Sequence, residues 1–446
     1  MSAAQAGTLA YQRPRSRADV ASALPYVLFL SYPLFWFLGI PWLWGLTLTL
    51  PMTVALISDI KHVRVPRGFW IWVLFLAWQL LSGVQLLAYG PDRVMAFMFR
   101  FFEYYTGTIL LLWFFNSDEE RITWSQLVKA GACLWATTII LGTLGLLFPG
   151  FTLHTLASKV LPSGLMNIPL VSDYALPKFS QVQNIIGAKI ARPAAPFSFT
   201  NGWAANVAIF TPFAMMAFSY TRRGVVKLAL AALMVFALIP FISSVSRGAW
   251  LGLGFGVIYA AIRVSIRKGA GLKVLKVGIG LITFGLIIFL SPLRGIIDAR
   301  LAHPHSNEGR LEQSQEAARR ATQSPLIGYG APLPSEDEDI GHNIGTHGQI
   351  WLVIFSHGFP ALALYLGFFG FMAWHFRRCR TQSELWAHTL VLMALLMMPV
   401  YGFLSLNFDI TMAALGIAFR DELLPHRWGA PEIGPEPEVE PVGAPA

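Results

Sequence analysis

From about residue 20 onward the chain alternates long apolar runs with short polar connections. The runs fall at 20–39, 41–58, 68–89, 94–115, 125–147, 199–219, 225–243, 248–264, 273–291, 347–374, 386–403 and 404–420. Each approaches the ~20 residues that cross ~30 Å of hydrocarbon. Inside a bilayer no water satisfies backbone N–H and C=O groups, so segments of this kind must fold as helices. The pattern predicts an all-α, polytopic membrane protein with about twelve transmembrane helices. The residue balance agrees, with 55% hydrophobic residues, 13% charged residues and a mean hydropathy of +0.55. Those values exclude an ordinary soluble domain.

The net charge of +9 follows from where the basic residues fall. Arg13, Arg15 and Arg17 precede the first run. Lys61, Arg64 and Arg67, then Arg121 and Lys129, then Arg222, Arg223 and Lys227 occupy alternate connections. Arg263, Arg267, Lys268, Lys273 and Lys276 follow, and Arg377, Arg378 and Arg380 close the series. By the positive-inside rule these connections and both termini are cytoplasmic, so the charge implies membrane lipids and no nucleic acid as partner. The division expected is a cytoplasmic tail at 1–19, a membrane domain at 20–420 and a disordered Pro/Glu/Gly-rich cytoplasmic tail at 421–446. No signal peptide is expected, because the first 20 residues are polar. Two cysteines, Cys133 and Cys379, support neither a disulfide framework nor a thiolate metal site.

The same register places two long loops, 148–198 and 292–346, on the extracytoplasmic side. The first is Pro-rich, without Gly/Ser or charge runs, and reads as an ordered lid. The second carries a short amphipathic helix over 307–323 with Arg310, Ser314, Ala317 and Ala321 along one face. The run Glu336, Asp337, Glu338, Asp339 after it reads as a solvated tip, since consecutive acids cannot converge on one ion. Thr346 and Gln349 have capping-box spacing, which starts a helix at His347. An imidazole there meets the positive helix end and is kept neutral, able to take a proton.

Outward-facing arginines run against the positive-inside trend and so point to an anion. Arg247 stands in SSVSRGAWLGL, where Ser244 or Ser246 is positioned to cap the next helix. Arg192 precedes APFSFTNGW, which contains Asn201, and Arg310 and Arg320 lie on the loop helix. Arginine grips phosphate with two prongs. For any one of these the alternative is snorkelling to lipid phosphates. Within the membrane, Arg100 and Glu103 are spaced to pair on one helix face, while His357 and Asp409 read as packing or hydrogen-bonding groups.

Three segments taken in order, SSVSRGAWLGL, GRLEQSQEAARRATQSPLIGYGAP and GTHGQIWLVIFSHGFPA, resemble the O-antigen ligase-like superfamily of bacterial membrane proteins over about residues 190–375. The resemblance implies a glycosyltransferase of the plasma membrane, of ligase or polymerase type. It would move a glycan from a polyprenyl-diphosphate carrier to an acceptor hydroxyl in cell-envelope polysaccharide synthesis, inverting, with no cofactor and no metal. By motif match Arg247, Arg310 and His347 are the catalytic candidates, and Gly358 falls at the family's spacing beyond the histidine. Arg192, Arg100, Asn201, His342 and Arg320 are candidate substrate contacts. One departure is that Gly348 follows His347 where the family often has Asn, which leaves His342–Asn343 as a rival pair. Two alternatives stand beside the ligase reading: a protein O-oligosaccharyltransferase of the same family, and a lipid-linked glycan flippase. For the topology, a cysteine at Ser335 should react with an impermeant reagent in intact cells. Labelling only after permeabilisation would overturn the assignment.

Overall fold

The computed structural model describes residues 18–88, 92–184, 189–267, 308–334, 343–345 and 347–424, with 294, 295 and 298 as isolated positions. Arg13, Arg15, Arg17, the run at 273–291, the acidic run 336–339, His342, Thr346 and the tail from Pro431 lie outside the described residues. Every other apolar run coincides with helix. In chain order these are α1 (Ala18–Leu38), α2 (Pro41–Ser58), α3 (Phe69–Ser82, prolonged by a 3-10 turn Gly83–Ala88), α4 (Asp92–Asn116) and α5 (Trp124–Leu147). Beyond the first loop come α9 (Thr200–Tyr220), α10 (Gly224–Phe236), α11 (Leu238–Ser243) and α12 (Arg247–Arg267). The last three are α14 (Gln349–His375), α15 (Gln382–Met397) and α16 (Leu406–Glu422). Among the described residues, 7 helical stretches are long and apolar enough to cross a membrane, fewer than the twelve expected. α16 is not one of them. Every residue from Leu406 to Asp421 is buried, so this helix carries Asn407, Asp409, Thr411, Arg420 and Asp421 without meeting lipid. It packs along α4, α15, α9 and α5 as the axis of the bundle.

The two ends of the bundle differ in chemistry. At one end Arg420 donates to the Ile122 carbonyl (2.6 Å) and to Ser117 (3.0 Å), and Tyr220 donates to Gln382 (3.2 Å). There too Arg263 donates to the Arg377 carbonyl, and the Asn116 amide brackets the backbone of Arg64. The basic turns thus gather on one face. The long loops gather on the other.

The loop after α5 is folded, as its composition implies, and adds a short strand pair to an otherwise mostly helical chain. It contains α6 (Leu156–Val160), α7 (Ser163–Met166), α8 (Pro169–Ala175) and an antiparallel pair, β1 (Ser180–Asn184) with β2 (Lys189–Pro193). Prolines deny this stretch a long helix, so its backbone groups are satisfied by pairing across a hairpin. The second loop holds α13 (Glu308–Ala321) and a short pair, β3 (Leu333–Pro334) with β4 (Asn343–Ile344).

Hydropathy predicts one continuous helix over 347–374, and the structure corrects this in two places. The helix begins at Gln349, with Gly348 rather than Thr346 at its cap and no side-chain cap. It is also broken at Gly358, whose φ of 81° and ψ of 179° are not helical. Pro360 is the cause, since it has no N–H and its ring crowds the carbonyl four residues back, that of Ser356. The two helical bonds lost at the break are replaced from 325–330. Ser356 O accepts from Gly330 N (2.7 Å), Phe355 O from Tyr329 N (3.0 Å), and Phe359 N donates to Pro325 O (2.8 Å). The approach is close enough to require glycine. A Cβ on Gly328 (φ +58°) would lie 2.5 Å from the Phe355 carbonyl, and one on Gly358 would lie 2.4 Å from that of Leu326.

Gly328→Ala and Gly358→Ala should therefore each cost at least the ~1–3 kcal/mol of an enforced left-handed residue. Gly370→Ala on the same helix meets nothing within 4 Å and should be neutral. Thermal unfolding of the purified full chain checks this, and an unchanged melting temperature in Gly328→Ala would refute the docking.

Candidate functional site

Two helix starts, α12 at Arg247 and α14 at Gln349, meet over the turn 398–403. Gln349 N donates to the carbonyl of Tyr401 (2.9 Å) and Ile350 N to that of Met398 (3.3 Å). From the other helix, Ala249 N donates to the Tyr401 hydroxyl (3.2 Å). Tyr401 itself is buried. Tyr401 thus accepts from the start of both helices, sharing Ala249 N with the Ser246 carbonyl (3.0 Å), while Met398 takes Ile350 N. Arg247 and His347 each stand two residues before a donor to Tyr401, so this turn brings both candidates to the same end of the bundle. Both are half-buried, and each makes further contacts.

Each candidate is followed by a glycine for the same steric reason. A Cβ on Gly248 would lie 2.8 Å from the Tyr401 ring, and one on Gly348 (φ +91°) only 2.5 Å from the Pro399 carbonyl. That contact explains why an asparagine after the histidine would not fit this chain. Gln349, expected to complete a capping box, instead spans two elements. Its Nε2 donates to the Tyr104 hydroxyl on α4 (2.6 Å), and its Oε1 accepts from Phe403 N (2.9 Å).

The segment before Arg247 is held by Arg192 and Asn201. Arg192 is 3% exposed, and its Nε donates to the Ser244 carbonyl (2.7 Å). Its remaining nitrogens donate to Gln183, to Asn201 (3.3 Å) and to the Ser246 hydroxyl (3.3 Å). A guanidinium so committed ties β2, α9 and the turn into α12 together. Ser246 is correspondingly turned toward Arg192 and Asn201. Val245 between the two serines has φ +55°, a strained value for a β-branched residue, and it is buried.

Arg320 is engaged in the same way. It is 6% exposed, lies 5.2 Å over Tyr329 and 5.4 Å over Phe355, and donates to the Pro334 carbonyl (3.3 Å). Tyr329 stacks on Phe355 at 4.8 Å and returns a bond to the Arg320 carbonyl (3.1 Å). Arg320 therefore fastens α13 and the 325–330 loop to α14, with Ala317 and Ala321 packed beneath. Arg319 is gripped by Glu316 (2.7 and 2.8 Å), and these bonds hold the Glu316 carboxyl below its usual range. Arg310 lies in the first turn of α13, with its side chain outside the described residues.

Arg100 does not pair with Glu103, because the two side chains turn to different neighbours. Arg100 donates to the Ala96 carbonyl of its own helix (2.7 Å), whereas Glu103 comes within electrostatic range of Asp409 on α16. Asp409 is fully buried, and among the described residues neither of its carboxyl oxygens has a hydrogen-bond partner, which leaves packing of the two roles expected for it. His357 does take such a role, with its Nδ1 2.6 Å from the Ser82 hydroxyl.

Several residues here escaped sequence reasoning. Arg93 donates to the carbonyls of Tyr329 (3.1 Å) and Ala331, and Trp78 donates to that of Leu326 (2.9 Å), so α3 and α4 both grip the loop. The only signal for Arg93 was its place at the start of a membrane run. Tyr401 gave none.

Class and family follow in turn. The described chain is a multi-pass helical membrane protein whose folded loops, helix break and paired helix starts share one end. Residues 232–366, from α10 through the broken part of α14, match the family model described as O-antigen ligase, and the chain is O-antigen ligase-like there, as the three motifs implied. No curated protein matches the chain.

Arg192→Ala should destabilise the protein by about 1–3 kcal/mol, the penalty for leaving buried acceptors unmade. Thermal unfolding measures it. An unchanged melting temperature with lost activity would return Arg192 to the role of substrate contact.

Proposed function

We propose that the protein is a polyprenyl-diphosphate-dependent glycosyltransferase of ligase or polymerase type, joining a lipid-carried glycan to an acceptor hydroxyl outside the plasma membrane. One observation carries the reading: Arg247 and His347, far apart in sequence, stand at two helix starts tied to the same residue, within the span that matches O-antigen ligase. The basic end of the bundle is assigned to the cytoplasm by the positive-inside rule, which leaves the loops and this site outside.

In this reading Arg247, with Arg310, holds the diphosphate of the donor. The paired prongs of each guanidinium take the charge that builds on the phosphate oxygens as the glycosidic bond breaks. His347 accepts the acceptor hydroxyl proton as that oxygen attacks the anomeric carbon. Carbon–oxygen bond formation and cleavage occur on opposite faces of the sugar, so configuration inverts, and the polyprenyl diphosphate leaves. Arg192, Asn201 and Tyr401 set the positions of the two helix starts without touching substrate. The helix break favours a second reading, transport, because transporters bind substrate at broken helices. Here, however, the freed backbone groups are taken by the chain's own 325–330 loop.

Arg247→Lys keeps the charge but not the two-pronged contact, and it should lose most transfer activity. Parent-rate turnover with a defined polyprenyl-diphosphate glycan would reduce that arginine to a surface anchor. His347→Ala should lower turnover by roughly 10²–10⁴-fold while donor binding persists. His342→Ala should cost much less, and His357→Ala should act through stability by breaking its bond to Ser82. An active His347→Ala beside an inactive His342→Ala would move the proton-accepting role to His342.

A further inference from the structure

On α4, Arg100 and Glu103 lie about one helical turn apart, and each is surrounded by protein. Both nevertheless keep part of their surface open, as do Tyr174 and Ser405. Side chains that are deep and still open border a hollow inside the bundle. Its roof is α8 of the first loop, whose Tyr174 ring stands 5.9 Å from that of Phe99 on α4. The Tyr174 hydroxyl lies within electrostatic range of both Arg100 and Glu103. The far wall is the start of α16, where the Ser405 backbone faces the Glu103 carboxyl. Ser405 has φ 64° and ψ −149°, values almost confined to glycine, and its side chain does not cap α16. Backbone held in such a conformation clusters at active sites and ligand clamps.

Neither charge is spent on the other. Among the described residues Arg100 hydrogen-bonds only to the Ala96 carbonyl of its own helix (2.7 Å). Unpaired charges inside a membrane span are costly and mark functional sites. The mixture of groups narrows the ligand. Glu103, with the Asp409 carboxyl in electrostatic range behind it, repels phosphate. A metal ion would meet the Arg100 guanidinium, and among the described residues no three His, Cys, Asp or Glu side chains converge. Neutral hydroxyls suit every group, since each can donate to a carboxylate and accept from a guanidinium or a phenol. Arg100 is two helical turns inward of Arg93, roughly 10 Å along the axis, a depth that suits a sugar tethered to a lipid. The hollow also adjoins the proposed transfer site. Tyr104, the residue after Glu103, accepts from Gln349 (2.6 Å), which stands two residues beyond His347. We infer that this hollow seats one sugar ring of the lipid-carried glycan, with Glu103 accepting from its hydroxyls and Arg100 and Tyr174 donating to them. The inference rests on the transferase reading and adds where the glycan is recognised.

Full-length protein in detergent, titrated with lipid-linked glycan extracted from its source membrane and separately with polyprenyl diphosphate bearing no sugar, tests this. Glu103→Gln keeps the shape and removes the charge. It should weaken binding of the glycan-bearing lipid roughly tenfold or more, the range of a hydrogen bond to a charged group, and leave the sugar-free lipid unchanged. Tyr174→Phe should weaken the glycan-bearing lipid by a smaller factor. Tyr105→Phe, whose hydroxyl meets Thr53 instead, should weaken neither. Melting temperatures read alongside identify a variant that has lost its fold, and Tyr174→Phe carries the test if Glu103→Gln is unstable. Equal affinity for the glycan-bearing lipid in the parent and a folded Glu103→Gln would overturn the subsite, and so would an equal loss toward both lipids. Transfer by the parent in the same preparation keeps the two proposals apart. Activity with unaltered Glu103→Gln affinity removes only this subsite, whereas sugar-dependent binding without transfer supports the subsite and counts against the transferase.

Discussion

Much of the loop-bearing end depends on the repair of one broken helix. Pro360 removes two hydrogen bonds from the middle of α14, and in an apolar setting unmade backbone bonds are not tolerated. The 325–330 segment supplies the replacements, so a loop that would otherwise lie over the bundle is drawn into it. From that docking the rest follows in order. Arg93 and Trp78 grip the loop from α4 and α3, Arg320 covers it from α13, and α13 is thereby set over the bundle with Arg310 in its first turn. Gly328 of the PLIGYG motif has a steric reason in this arrangement, since backbone meets backbone there with no room for Cβ, and Gly330 holds a left-handed φ of +74°.

A second constraint organises the site itself. Tyr401 accepts from the first turns of both α12 and α14, one through its hydroxyl and one through its carbonyl. Two helix starts thus share one partner, and their spacing becomes a property of the 398–403 turn. The pairs Arg247–Gly248 and His347–Gly348 repeat one device, a candidate side chain followed by a glycine that lets the backbone close on that turn. Arg192 adds rigidity from the other side by holding the strained turn around Val245. Burial separates the arginines into two kinds. Arg192 and Arg320 are consumed in holding the frame, whereas Arg247 remains half-buried at its edge.

The sequence by itself determined where the helices lie and which end of the bundle is basic. Each of these depends on local composition: a run of apolar residues must become helix in lipid whatever surrounds it, and charge is read residue by residue. Tertiary structure alone decided what each polar residue does. Hydropathy passes smoothly through Ser356, His357 and Gly358, because the break there shows only in the bonds that 325–330 makes across space. Arg192 and Arg247 are alike in sequence, both arginines before a membrane run, and differ in how deeply the folded neighbours bury them. The starting point of α14 was likewise settled by the Pro399 carbonyl against Gly348, a contact between segments that no local spacing encodes.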